Sequence, residues 1–225
     1  MGLIVKICGL AAPEALSAAL EAGADMVGFV FFAPSPRNLA PAAARDLGLR
    51  VKGRALKVAL TVDADDALFE AIVRALKPDI LQLHGREPPD RVAALKERFG
   101  LPVLKAIPVE TRADLDAVDR YRGVADRFLF DARPPRDATR PGGLGKPFDW
   151  HLLEDVQAGP DYLLSGGLDA GNVAEALAIT GAPGVDVSSG VERRPGKKDP
   201  AKIVAFVKAA REAWKSRPGP LPKRA

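Results

Sequence analysis

A single thiol, a guanidinium, an imidazole and several carboxyl groups occur at one recurring place in this sequence, directly after short apolar runs. Cys8 closes VKIC, Arg37 follows GFVFFAPSP, Gln82 and His84 close ILQLH, Asp131 closes FLFD, and Asp186, Ser188 and Ser189 close VDVSS. Side chains of these types move protons and hold anions, provided that one fold gathers the ends of those runs into one place.

Cys8 reads in two ways. A free cysteine commonly packs as a small hydrophobe. This one precedes Gly9, which lets a bound group approach the backbone, and strand alternation puts it on the same face as Lys6, so a thiolate base is the second reading. That role needs local positive potential, because a free thiol titrates near about 8.5. Asp131 is equally a turn or cap residue or, flanked by large apolar side chains, a proton donor, since an apolar pocket keeps a carboxyl group protonated to higher pH. With Cys8 it makes an acid/base pair.

The segments LSGGLDAGN (164–172) and DVSSGVE (186–192) combine glycine with small hydroxyl residues. Gly166 and Gly167 leave backbone N–H groups uncovered, and Ser188, Ser189 and Gly190 offer hydroxyls and amides at the start of a short helix whose dipole favours an anion. Each alone is also an ordinary tight turn; together, in two successive loops, they suggest a phosphate site without a metal. Arg37 lies between Pro36 and a turn in PSPRN, and a planar guanidinium held stiffly there suits a carboxylate. His84 is compatible with a structural or a site role, His151 reads as a surface residue, and Phe148 and Trp150 read as packing for their loop.

The elements that must position these groups follow from periodicity. Apolar runs near 3–8, 26–31, 56–62, 79–83, 102–107, 127–131, 161–165 and 184–188 predict eight strands. Amphipathic segments at 13–22, 41–49, 65–76, 89–99, 111–121, 149–157, 170–179 and 200–215 predict eight helices, with Pro13 and Pro41 at first turns, Asp169 or Asp199 as caps, and Gly23, Gly100, Gly123 and Gly181 as stops. Alternation of this kind predicts an α/β fold with a parallel sheet, and eight units of about 28 residues suit a single-domain (β/α)8 barrel of the phosphate-binding type over 1–215. A doubly wound open sheet is the alternative, disfavoured because the first turn, CGLAAPE, has one glycine and no dinucleotide fingerprint. Residues 133–147 read as a functional loop rich in Pro, Arg and Gly, and 216–225 as a basic, Pro-rich tail that is disordered.

Composition closes off other classes. The formal charge of +4 is accounted for by Lys215, Arg217, Lys223 and Arg224, after which the remaining chain balances, so no nucleic-acid partner is expected. One cysteine excludes an internal disulfide framework and a Cys-based zinc cluster, and no metal or cofactor is expected. The longest apolar stretch, 26–33, falls far short of the roughly 20 residues of a membrane span, and the N-terminus lacks a cleavable leader, so no membrane partner and a cytoplasmic location are expected.

Seven motifs in order, VKICGL (5–10), GFVFFAPSPRN (28–38), LQLHG (81–85), FD (130–131), PGGLGKPFDW (141–150), LSGGL (164–168) and DVSSGVE (186–192), resemble the phosphoribosylanthranilate isomerase family over nearly the whole chain. Leu144 departs from the Thr common at that position, and the loop 132–140 is longer and richer in Arg. The resemblance implies a cofactor-free isomerase of tryptophan biosynthesis, an aromatic amino-acid pathway, which performs an Amadori rearrangement on a phosphorylated sugar–anthranilate as monomer or homodimer. It implies Asp131 as general acid and Cys8 as general base, with Arg37 facing the substrate carboxylate. Gln82, His84 and Asp186 are implied as further substrate-site residues, and Gly166, Gly167, Ser188, Ser189 and Gly190 as the phosphate holders. A related sugar-phosphate barrel and a noncatalytic phosphate-binding barrel are the competing readings; Cys8 and Arg37 argue against the first, and turnover would exclude the second.

Overall fold

The computed structural model describes residues 2–216, except 136–137, 139–141, 144–146, 155 and 157–161. Eight parallel strands, β1 (Ile4–Cys8), β2 (Met26–Phe31), β3 (Leu56–Thr61), β4 (Ile80–Leu83), β5 (Val103–Val109), β6 (Arg127–Ala132), β7 (Leu163–Leu164) and β8 (Gly184–Val187), pair in sequence order and close into a barrel through β1 and β8. The helices α1 (Pro13–Glu21), α2 (Pro41–Val51), α3 (Asp66–Leu76), α4 (Pro89–Phe99), α5 (Ala117–Tyr121), α6 (Val173–Thr180) and α7 (Pro200–Lys215) follow their strands. Proline at the first turn starts α1, α2, α4 and α7, where a missing N–H costs nothing. Asp199 caps α7 through Ala201 N, and left-handed Gly100 and Gly181 end α4 and α6.

Two predicted helices differ. The segment 111–121 is a 3-10 turn, Arg112–Asp116, running into the short α5, and its start is fixed by Thr111 and Asp114. The predicted helix at 149–157 shows only a 3-10 turn, Trp150–Leu153, among the described residues, and positions 155 and 157 of that prediction lie outside them. The proposed tail lies outside the described residues apart from Ser216, which caps α7, and so does Leu144. A short antiparallel pair that periodicity did not predict, β9 (Glu192–Arg194) with β10 (Lys197–Lys198), follows β8.

Alternation divides the strand side chains between two cores. One face packs under the helices; the other fills the barrel with Met26, Val58, Ile80, Leu104, Ala106, Leu129 and Leu163. Pairing is pinned at the entry end by a repeated device. Asp25, Asp79 and Asp126, each one residue before an even-numbered strand, accept the N–H of Val5, Lys57 and Val103 on the preceding strand at 2.7, 2.7 and 2.8 Å. Register locked at that end leaves the carboxyl ends of the strands for chemistry, as in barrel enzymes generally. No helix among the described residues is long and apolar enough to cross a membrane.

Candidate active site

The carboxyl ends of the strands surround a cavity of about 290 Å3. Of the residues singled out by sequence, Cys8, Arg37, His84, Asp131, Gly166, Gly167, Asp186, Ser188 and Ser189 line it. Gln82 and Gly190 are not on its wall; Gln82 packs against His84, and Gly190 packs against the Leu168 backbone of the loop after β7.

Cys8 ends β1 beside Val30 and Leu60, two residues above Lys6 on the inward face. Lys6 is wholly buried and donates to Asp186 Oδ1 at 2.8 Å, while Asp186 Oδ2 accepts from Ser165 Oγ at 3.3 Å. A Cβ on Gly28, opposite on β2, would stand 3.0 Å from the Cys8 sulfur and 3.3 Å from Lys6 Nζ, so the thiol and the ammonium share the space that this glycine leaves. Burial pulls the Lys6 ammonium down, but the charges of Asp186 and of the thiolate outweigh it and hold Lys6 above the usual lysine value. For Cys8 the balance goes the other way. Burial pushes the thiol up, and the pull of Lys6 does not offset it once Asp186 adds its own negative charge. The positive potential a thiolate needs is present, yet burial keeps Cys8 a thiol to higher pH than a free cysteine.

Asp131 ends β6 with Oδ1 accepting its neighbour's N–H, Ala132 N, at 3.0 Å. Its Oδ2 lies 3.2 Å from His84 Nε2, and His84 Nδ1 lies 3.0 Å from Gln82 Nε2. Gly142 crosses directly over this pair: a Cβ there would meet Asp131 Oδ2 at 2.6 Å and His84 Nε2 at 3.0 Å, so only glycine lets the backbone after β6 approach so closely.

The two glycine loops are built against each other. Gly166 and Gly167 take left-handed φ of 86° and 68°, and a side chain on Gly166 would strike Ala132 N. Asp169 Oδ1 accepts Gly171 and Asn172 N–H groups, and Asn172 Nδ2 donates to Gly167 O at 2.9 Å, which sets the turn. The expected short helix after β8 is a three-residue 3-10 turn, Ser189–Val191. It is too short for an aggregate dipole, so anion binding there depends on individual N–H and hydroxyl groups. Ser188 Oγ is turned to Cys8 O at 3.2 Å and receives Lys198 Nζ at the same distance.

Sequence reasoning missed three contributors. Glu192 on β9 takes Arg37 in a two-point grip, and Lys198 on β10 donates to Glu192 Oε1 at 2.9 Å and Ser188 O at 2.8 Å. Burial opposes the charge on Glu192, but the hydrogen bond from Arg37 and the charges of Lys198 and Arg37 outweigh it and hold the carboxyl below its usual range. Phe148, read as loop packing, lines the cavity; His151 is exposed as expected, paired with Glu154 at 2.7 Å. The signal for Glu192 and Lys198 was a strongly charged stretch, VERRPGKK, sitting where an anion site was already suspected.

Comparison with known proteins agrees with this geometry. Residues 5–209 match the model of a family described as N-(5'phosphoribosyl)anthranilate (PRA) isomerase. The N-(5'-phosphoribosyl)anthranilate isomerase of Bradyrhizobium sp. (strain ORS 278) is 64% identical over 213 residues, covering 95% of this chain and 97% of that protein. Among solved structures, phosphoribosyl anthranilate isomerase from Thermotoga maritima superposes with a TM-score of 0.84 at 34% identity, covering 93% of this chain and 99% of that one. A phosphoribosyl anthranilate isomerase solved in complex with reduced 1-(o-carboxyphenylamino)-1-deoxyribulose 5-phosphate gives 0.81 at 32%, with the same coverage.

Proposed function

We infer the residue roles below from one premise, that the chain belongs to the N-(5'-phosphoribosyl)anthranilate isomerase family. It is accordingly an isomerase of tryptophan biosynthesis, converting N-(5-phosphoribosyl)anthranilate to 1-(2-carboxyphenylamino)-1-deoxyribulose 5-phosphate. The observation that carries the roles is that Cys8 and Asp131 line one cavity together with both glycine loops.

In this reading the phosphate sits against Gly166, Gly167, Ser188, Ser189 and Gly190, and the anthranilate carboxylate faces Arg37. Binding energy from the two anionic ends orients the ribose between acid and base. Asp131 gives its proton to the furanose ring oxygen; the C1′–O bond breaks and a Schiff base forms. Cys8, once its thiol proton has passed to solvent and left a thiolate beside Lys6, removes the C2′ proton to leave an enolamine. The proton balance closes when the enolamine takes a proton at C1′ and loses one from its C2′ hydroxyl, which returns a thiolate and a carboxylic acid. Lys6 stabilises the thiolate through its proximity and is itself kept charged by Asp186. His84 supports the acid, and Asp186 serves the base through Lys6, which it keeps charged. The reaction asks for no cofactor, and the expected place of work is the cytoplasm.

The test is direct turnover. Purified protein supplied with freshly generated phosphoribosylanthranilate should consume it, followed by loss of substrate fluorescence, and turnover should persist with a chelator. Binding of the reduced product analogue without turnover would overturn the assignment of Cys8 and Asp131.

A further inference from the structure

Gln82 is wholly buried on the inward face of β4 and has no place on the cavity wall, whereas His84, two residues on, has one. The amide, the imidazole and the Asp131 carboxyl lie in series, with Gln82 Nε2 at 3.0 Å from His84 Nδ1 and His84 Nε2 at 3.2 Å from Asp131 Oδ2. Gln82 Oε1 has no hydrogen-bond partner among the described residues.

With the acid's proton on Oδ1, or already given away, Asp131 Oδ2 can only accept, and a neutral imidazole then satisfies both neighbours in one arrangement: Nε2 carries the proton, Nδ1 is a lone pair, and the amide offers its NH2. Turned over, the amide would set its oxygen against that lone pair and bury two unpaired N–H donors where one acceptor now lies. The ring is held independently. Lys105 Nζ donates to Leu83 O at 3.3 Å and Gly85 O at 2.8 Å, the carbonyls on either side of His84, and is itself paired with Glu87 at 3.0 Å. With the backbone clamped from outside the barrel, what Gln82 controls is the position of a proton rather than the position of the ring.

We propose that Gln82 is a positioning residue for the isomerisation: its amide fixes His84 as the Nε2–H tautomer, and that N–H holds the Asp131 carboxyl in register through proton loss and return. Gln82 touches no reacting atom and acts through His84. The inference deepens the assignment of Asp131 as acid and rests on it.

The chain has two histidines, so 15N labelling of histidine gives two ring signatures, and His151→Gln, a change at the exposed residue away from the site, assigns them. The expected wild-type spectrum has His84 protonated at Nε2 and bare at Nδ1. Gln82→Met, matched in volume but lacking the donor, should let the proton move to Nδ1 and lower kcat about tenfold with KM changed less than about twofold. Gln82→Glu, which puts an acceptor against Nδ1, should force the Nδ1–H form and lower kcat further. A wild-type spectrum showing Nδ1–H overturns the proposal, and it decides the matter even if neither variant folds. So does a Gln82→Met protein whose tautomer is unchanged while kcat falls, since that is packing alone. Full turnover in Asp131→Asn would instead remove the underlying acid assignment, and the histidine spectrum is read without turnover, so the two failures are told apart.

Discussion

Glu192 grips Arg37 at two points, Oε1 to Nε at 2.7 Å and Oε2 to Nη2 at 2.8 Å, and both side chains are buried. The fork that sequence reasoning aimed at the substrate is therefore taken on one side by the protein. Nη1 is the remaining donor, and it points to the Gly143 side of the cavity, where a Cβ on Gly143 would collide with it. A guanidinium anchored in this way presents one preset edge to a carboxylate instead of searching for it.

Removing the anchor should therefore harm stability as well as binding. Glu192→Gln leaves Arg37 and Lys198 as two buried cations without their shared anion, a defect of about 3–5 kcal/mol. Thermal unfolding should move down by about 6 °C or more, and KM for the substrate should rise. A variant with wild-type melting and KM would show that the grip is incidental.

Cys8→Ala and Asp131→Asn should each lower kcat by at least about 100-fold, because positioned acid and base groups contribute on that scale. Both replacements remove the group proposed to react while changing little volume, so circular dichroism and melting should stay near wild type. Near-normal turnover in either variant would take that residue out of the mechanism.

The thiol is the chain's one cysteine, which makes its titration readable by alkylation. Burial pushes Cys8 up beyond the reach of Lys6, so the rate of reaction with iodoacetamide should still be climbing at pH 9.0, where a free thiol is already more than half ionised. A rate that levels off near neutral pH would mean that the site stores a thiolate after all.

What the sequence disclosed and what it withheld have separate physical causes. Strand and helix periods are local, so the eight strands and most of the helices were legible, as were Cys8, His84 and Asp131 at strand ends. The pairings that tune them are not local: Lys6 meets Asp186, and Arg37 meets Glu192, from opposite ends of the chain, and only barrel closure by β1 on β8 brings them together. The hairpin of β9 and β10 escaped notice because its two strands have three and two residues, all charged, with no apolar alternation. Gln82 stood out in the sequence as a polar residue near a strand end, but its place off the cavity wall and against His84 depends on strand parity in a four-residue strand, where a slip of one residue reverses inside and outside.

Burial pulls the Lys198 ammonium down to about 8 from an ordinary 10.5, against the opposing charge of Glu192 and with the Arg37 guanidinium and the Cys8 sulfur also facing it. Between those two pH values the folded chain has released a proton that the unfolded chain still holds, so this group makes folding more favourable as pH rises through the window. Cys8 works in the opposite sense above pH 9.0, since its folded thiol keeps a proton the unfolded one has lost. The useful quantity is therefore wild-type stability minus that of Lys198→Met, from urea unfolding at about pH 7 and about pH 10. It should rise by about 2–3 kcal/mol between the two, and a flat difference would mean that Lys198 keeps its charge when folded.

Gly190 tests whether the two glycine loops form one anion site. A Cβ there would fall well inside contact distance of the Leu168 carbonyl oxygen and 3.0 Å from Asp169 Cβ, so the loops after β7 and β8 touch backbone to backbone at this residue. Alanine offers the collision no flexible side chain to displace, and the loops must part. Parting spreads the N–H groups of Gly166, Gly167, Ser189 and Gly190 away from a common anion while leaving Cys8 and Asp131, on β1 and β6, where they are. KM should then rise at least about tenfold with kcat falling less, and inorganic phosphate should lose its power to inhibit the enzyme. If Gly190→Ala lowers kcat and leaves both KM and phosphate inhibition unchanged, the anion is held elsewhere and the ribose lies in the cavity in a different direction.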